Sequence, residues 1–433
     1  MVTSAALPTV PGQLRASPRP GRRRSPFGGL RPAMALAAVY GAAALVWGSF
    51  GSRLPGGRWL AVHLFTLGVL TNLVVALGHH FAQTLLHSPE RRRGWRLVAV
   101  NGGALGVLTG LPSGRPWLVA VGASVLIAAV LWLYVDLRGM RRRSLTGRFA
   151  FVVRAYERAA SAFLHGALLG GLLGAGVLTG GWYAAGRLAH LHVNVLGWGG
   201  LTLLATVVFF GPTIMRARME AGADAAAAKA IRRAATGLTV AAFALLLTGM
   251  GGMLVVPFRL VAAAGLGVYA QAAVAVCLPV IRTGRRAQPT AANRMLRGSC
   301  WWFPAVVAAD AVLVATGAFG LLGALGAAML IGVLGQAILA AVGYVVPMAS
   351  AEGADARGAA LERMGRLPLL RPLALNAGVA LVTVGAAVSG DAADLLARVG
   401  WLLVAAAVAV HLGLLAVTMV GDGAGARRST AGG

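Results

Sequence analysis

Two histidines, separated by one residue, open a long apolar segment of this sequence, HLHVNVLGWGGLTLLATVVFF (residues 190–210). An earlier apolar segment contains His63 in a related context, because HLFTLG at 63–68 and HVNVLG at 192–197 share the pattern His-x-x-x-Leu-Gly. Imidazole is a common protein ligand for haem iron, copper and zinc. Histidines placed inside apolar segments therefore indicate a metal or haem site.

Helix geometry selects among these histidines. His190 and His192 point about 200° apart on an ideal helix, so both cannot face one partner. The preferred ligand pair is His63 with His192, which open the two matching patterns and could bind a haem from both faces. His190 is either a third ligand, as copper would need, or a rim residue that water or lipid headgroups satisfy. Asn194 lies one turn after His190 and could orient it.

The remaining histidines suggest a second site near the opposite membrane face. His79 and His80 lie near the far end of the segment that contains His63. His80 is a further candidate ligand. His79 is predicted to share a second haem or metal site with His165 or His411, which lie at a similar depth.

Acidic residues are rare in the apolar segments, and Asp310, within VVAADAVLV, is the main example. An ionisable group inside a membrane span usually serves a function. Asp310 is either a proton relay or a neutral acid that bonds to an amide. With Asn72 and Asn194 it forms a candidate polar network.

The elements that must position these residues are membrane helices. The chain has 433 residues, of which 58% are hydrophobic and 12% charged, whereas a soluble chain is about 25% charged. Apolar runs of roughly 18 residues or more, without alternation, predict an all-α polytopic membrane protein. Residues 1–32 read as a disordered basic leader, 33–421 as the transmembrane domain and 422–433 as a tail. The twelve predicted spans are 33–51, 59–86, 95–112, 116–137, 160–181, 189–211, 234–256, 259–281, 301–321, 324–349, 372–389 and 395–419.

The distribution of basic residues predicts the orientation of the spans. Of the 39 Lys and Arg residues, 33 fall in the leader, the alternate loops and the tail, which positive charge places in the cytoplasm. We therefore expect both termini to be cytoplasmic in a multi-pass protein of the inner (plasma) membrane. The net charge of +27 belongs to these short loops, so we expect the lipid bilayer, and not nucleic acid, to be the partner.

Glycines also follow a pattern in the fifth span. Gly166, Gly170 and Gly174 recur at every fourth residue. This spacing lets helix backbones approach closely. It predicts tight packing and no chemistry.

Together these residues resemble a known family. The twelve spans, the cytoplasmic termini and the histidines at the outer ends of even-numbered spans resemble subunit I of the haem–copper oxidases. They resemble more closely the smaller NnrS-type proteins of nitric oxide metabolism. Segments 190–219, 63–81 and 334–348 are similar to the membrane region of actinobacterial proteins labelled copper oxidase. The resemblance implies a haem or copper cofactor bound by His63 and His192, then His190 and His80. It also implies a cupredoxin or nitrite-reductase-like protein as partner.

Spans 7 and 10 contain no histidine, so an oxygen-reducing binuclear centre is not expected. Two functions stay open. The first is a haem- or copper-binding membrane protein of respiratory or nitrogen-oxide metabolism, and whether it is an enzyme is undecided. The alternative is a proton-coupled secondary transporter that uses Asp310.

Overall fold

The computed structural model describes residues 27–89, 94–144, 147–351 and 353–431. Within these ranges every regular element is a helix, as the apolar runs predict. Ten of these helices are long and apolar enough to cross a membrane. The chain is therefore an all-α, multi-pass membrane protein.

The long helices occur in the predicted order, and α3 and α5, which fall outside the ten, occupy the places of two further predicted spans. They are α1 (Gly28–Phe50), α2 (Gly57–Leu85), α3 (Gly94–Gly110), α4 (Pro116–Arg143), α5 (Ala150–Gly174), α6 (Gly180–Phe209), α7 (Ala223–Met250), α8 (Gly252–Arg286), α9 (Ala291–Thr316), α10 (Phe319–Ser350), α11 (Leu370–Ala387) and α12 (Asp391–Ala431). Two short helices, Gly211–Met215 and Ala354–Met364, follow α6 and α10.

The ends of the chain differ from the predicted boundaries. Residues 1–26 of the predicted leader lie outside the described residues, and α1 begins at Gly28, ahead of the expected start at residue 33. The backbone of α12 stays helical to Ala431, through most of the predicted tail.

Helices that are consecutive in the chain pack side by side, and α12 returns to contact α1. α6 is the most deeply buried of the ten candidate spans. The helices that carry the matching histidine patterns, α2 and α6, therefore meet other helices on several sides and can present side chains to the interior.

Three of the long helices, α2, α6 and α10, each contain one π-helical segment. The backbone widens into a π-helix over Leu64–Leu70 in α2, Val193–Leu201 in α6 and Ala328–Gly335 in α10. His63 and His192 directly precede the first two segments, and Ala327 precedes the third. The His-x-x-x-Leu-Gly repeat of α2 and α6 therefore corresponds to a structural repeat, which α10 shares. π-helical turns are rare and concentrate at functional sites.

A glycine within each π segment lies against the preceding long helix. These glycines, Gly68, Gly197 and Gly332, face Tyr40 of α1, Ala162 of α5 and Trp302 of α9. A β-carbon on Gly68 or Gly197 would overlap these neighbours, so only glycine permits the observed approach. The second helix of each successive group of four long helices, α1–α4, α5–α8 and α9–α12, therefore shares this feature, and these groups are called quartets below.

Amide pairs repeat in the first and third quartets. Asn72, four residues after Gly68, exchanges hydrogen bonds with Asn101 of α3 at 3.2 and 2.8 Å. Gln336 of α10 exchanges hydrogen bonds with Asn376 of α11 at 2.9 and 3.2 Å. Asn72 therefore joins α2 to α3, whereas Asp310 and Asn194 bond to His192 and His190. The three residues of the predicted polar network thus have separate hydrogen-bond partners.

Candidate metal centre

The structure brings His63 of α2 next to His190 of α6. Their ring centres are 6.4 Å apart and their ring planes differ by 17°. Metal–imidazole bonds are about 2.0–2.1 Å long, so two imidazoles on opposite sides of one metal ion have ring centres roughly 6 Å apart. The distance between the two ring centres is therefore close to that of two imidazoles bound to one metal ion.

Both rings are fixed by hydrogen bonds from Nδ1 to backbone carbonyl groups. Nδ1 of His63 lies 2.9 Å from the Trp59 oxygen, and Nδ1 of His190 lies 2.7 Å from the Gly166 oxygen. A carbonyl oxygen only accepts, so Nδ1 carries the proton in each ring. The Asn194 amide nitrogen lies 3.2 Å from Nδ1 of His190 but donates to the His190 backbone oxygen at the shorter distance of 2.8 Å. The lone pair is then on Nε2, and among the described residues neither Nε2 has a hydrogen-bond partner. Histidine ligands of metals usually donate their other ring N–H in this way.

In the glycine stripe of α5, formed by Gly166, Gly170 and Gly174, Gly170 leaves the space that the His190 ring occupies. A β-carbon on Gly170 would lie 2.6 Å from Cε1 of His190, and one on Gly166 would overlap the Asn194 side chain. Asn194 donates to the backbone oxygen of His190 at 2.8 Å. Packing was the only role that the sequence predicted for these glycines, but they also seat the imidazole and supply its hydrogen-bond acceptor.

Trp59 supports the other imidazole. Its ring stacks on His63 with ring centres 4.1 Å apart, and it also supplies the carbonyl that holds Nδ1. Four residues separate Trp59 from His63, which places them on one face of α2. The sequence contained this spacing, but the matching His-x-x-x-Leu-Gly patterns began after Trp59 and did not include it.

His192 faces a different helix. Its Nε2 lies 3.0 Å from Oδ2 of Asp310 on α9, and its Nδ1 lies 2.7 Å from the Leu188 oxygen. The His192 side chain is fully buried and Asp310 is 7% exposed. With both ring nitrogens engaged, His192 could bind a metal only by releasing Asp310. The structure therefore places His190, not His192, beside His63, as the angle of about 200° between the two histidines allows.

One cavity of about 2140 Å³, partly open to the outside, is lined by His63, His190, His192 and Asp310, with mainly apolar side chains around them. Ligand pockets for small molecules usually enclose roughly 300–1,000 Å³, so a group the size of haem has space here. Exposed Arg58 and Arg187 lie along the same cavity.

No protein-family model matches the chain, and no curated protein matches it either.

The candidate ligands of the second site lie in separate places. Nε2 of His79 is 3.9 Å from Oδ2 of Asp136, which pairs with Arg96 at 2.5 Å. The ring of His80 contacts Phe27, with ring centres 5.1 Å apart. Both histidines therefore lie in contacts far along α2 from His63.

The other two candidates, His165 and His411, contact different partners. His165 is exposed and its Nδ1 donates to the Ser161 oxygen at 2.7 Å. His411 is buried, and Arg371 donates to its Nδ1 at 3.1 Å. Among the described residues no three His, Cys, Asp or Glu side chains converge as a metal site. A three-histidine copper site therefore does not form there, while His79, His165 and His411 each contact different partners.

Proposed function

We propose that this membrane protein holds a redox metal, as haem or copper, between Nε2 of His63 and Nε2 of His190. The observation that carries the proposal is the pair of imidazoles with centres 6.4 Å apart, each fixed through Nδ1 to a backbone carbonyl. Such preorganisation lowers the entropic cost of binding a metal. It also gives both rings the tautomer that a metal needs.

The surroundings favour haem over a bare copper ion. Haem is a large apolar plate with two carboxylates, and the cavity beside the histidines is large and mainly apolar. Arg58 and Arg187 on the cavity wall could pair with the carboxylates. A two-coordinate copper ion would need neither feature.

His63 and His190 would hold a haem through their Nε2 atoms, and a haem held by two protein ligands would carry electrons and would not bind oxygen. The residues therefore favour electron transfer over oxygen reduction, in line with the histidines missing from α7 and α10. Haem supplies the one-electron chemistry when bound. The protein holds it through His63 and His190 and excludes water with the apolar wall. We place the protein in respiratory or nitrogen-oxide metabolism in the plasma membrane, with a cupredoxin or nitrite-reductase-like protein as partner.

The test is the visible spectrum of the full chain, purified in mild detergent after expression with haem precursor and copper supplied. We expect a low-spin haem spectrum, a sharp band on reduction, and one iron per chain. A colourless protein with one copper per chain would support the copper form of the proposal. A colourless protein free of both metals would overturn it.

We further propose twelve spans with both termini in the cytoplasm. The distribution of Lys and Arg supports this topology, as do the helices α3 and α5 at the places of the two remaining spans. Cysteines introduced at Ser113, between α3 and α4, and at Gln288, between α8 and α9, test it. An impermeant maleimide should label Ser113→Cys in intact cells and Gln288→Cys only after lysis. Labelling of both on one side would contradict the span count.

The second candidate function is proton-coupled transport. The position of Asp310 on the cavity wall favours it, because carboxylates in such places carry protons in transporters. That function requires a carboxylate that gains and loses a proton. Proton-coupled transport therefore predicts that Asp310→Asn abolishes transport.

A further inference from the structure

The contact between His192 and Asp310 leaves one oxygen without a partner. Nδ1 of His192 donates to the Leu188 oxygen, so only the proton between Nε2 and Oδ2 of Asp310 remains to be assigned. If it is on the histidine, the pair consists of a cation and an anion. If it is on the aspartate, both are neutral. In either case the pair has no net charge and Oδ1 of Asp310 is a hydrogen-bond acceptor.

Oδ1 of Asp310 is buried and has no hydrogen-bond partner among the described residues. A buried acceptor without a donor is unfavourable, and native proteins rarely leave one. Both residues of the pair line the large cavity. A molecule in the cavity beside the pair could supply the missing donor.

The surroundings of Oδ1 restrict the chemistry of that molecule. Because the pair has no net charge, a cationic ligand would add an uncompensated charge inside an apolar wall, which is costly. An anion would meet an acceptor oxygen. A neutral O–H group satisfies Oδ1 without either cost, and an apolar body suits the rest of the wall.

We propose that the cavity binds a neutral lipophilic phenol or alcohol whose hydroxyl donates to Oδ1 of Asp310. His192 is a positioning residue that holds the carboxyl group in place through Oδ2. The site stands on residues other than His63 and His190, so it does not depend on a metal between them. The competing explanation is that one ordered water molecule donates to Oδ1.

The test compares two probes of nearly equal shape, 4-octylphenol and its methyl ether 4-octylanisole, by calorimetry on the full chain in nanodiscs. The phenol donates a hydrogen bond and the ether does not. We expect the phenol to bind about tenfold more tightly, the factor that corresponds to roughly 1.4 kcal/mol. Equal binding of both probes, or binding of neither, would overturn the proposal and favour water.

Variants of Asp310 identify the group responsible. In Asp310→Asn the amide can donate to Nε2 of His192 and its oxygen still accepts, so the preference for the phenol should persist. Asp310→Leu removes the acceptor and should abolish the preference, whereas Asp394→Leu, at an exposed acid on the cavity wall, should keep it. Loss of the preference in Asp310→Asn would contradict the proposal, because it would mean that the carboxylate itself is required. The comparison of the two probes uses the unmodified protein, so the test remains valid even if a variant fails to fold.

Discussion

Replacing either His63 or His190 with alanine is expected to remove the bound metal almost completely. Each variant deletes one of two ligands and leaves the metal on a single imidazole, and no group of three or more His, Cys, Asp or Glu side chains among the described residues could hold it instead. Removing only a supporting hydrogen bond to a metal ligand costs about 10–100-fold in affinity, so we expect loss of the ligand itself to cost more. Metal per chain and the amplitude of the visible spectrum, measured on the same samples, report the effect.

Two other histidines serve as controls for this result. His165→Ala changes an exposed side chain and should leave the spectrum unaltered. His192→Ala should keep the metal while lowering the thermal stability, because it leaves Asp310 buried without its partner. If His192→Ala loses the metal and His190→Ala keeps it, the pair that the sequence favoured, His63 with His192, is the correct one.

The helices could be predicted from the sequence because membrane spans depend on local composition. An apolar run of sufficient length must form a helix in lipid, since every backbone polar group needs an internal partner. The repeat could also be detected, because Gly68 and Gly197 follow their histidines at the same distance. The third copy could not, since Ala327 stands where the other two helices have histidine and only the π-helical backbone identifies it.

The pairing of histidines could not be predicted, because sequence position gives depth along a helix but not which neighbour a side chain faces. His190 and His192 are equally suitable in type and nearly equal in depth. The selection is made by α5, where Gly170 leaves space for one ring and Gly166 offers it a carbonyl, and by α9, where Asp310 engages the other. Each of these contacts joins residues far apart in the chain.

Gly170→Ala is expected to weaken metal binding about 10–100-fold, as the loss of other supports of a metal ligand does. The new β-carbon would lie 2.6 Å from Cε1 and 3.0 Å from Nδ1 of His190, both too close for non-bonded atoms. The ring must therefore turn or withdraw. Either movement disturbs its hydrogen bond to the Gly166 oxygen and the position of Nε2 opposite His63. Metal titration with a competing chelator measures the change in affinity.

The matched control is Gly267→Ala in α8, where a β-carbon would meet no atom within 4 Å. That substitution should leave metal binding unchanged and stabilise its helix slightly, because alanine favours helices by about 1 kcal/mol over glycine. If Gly170→Ala loses thermal stability but keeps its metal affinity, α5 packs against α6 without positioning the ligand. If its affinity falls while Gly267→Ala is unaffected, the glycine stripe sets the geometry of His190, and through it the separation of the two imidazoles on which the proposed metal centre depends.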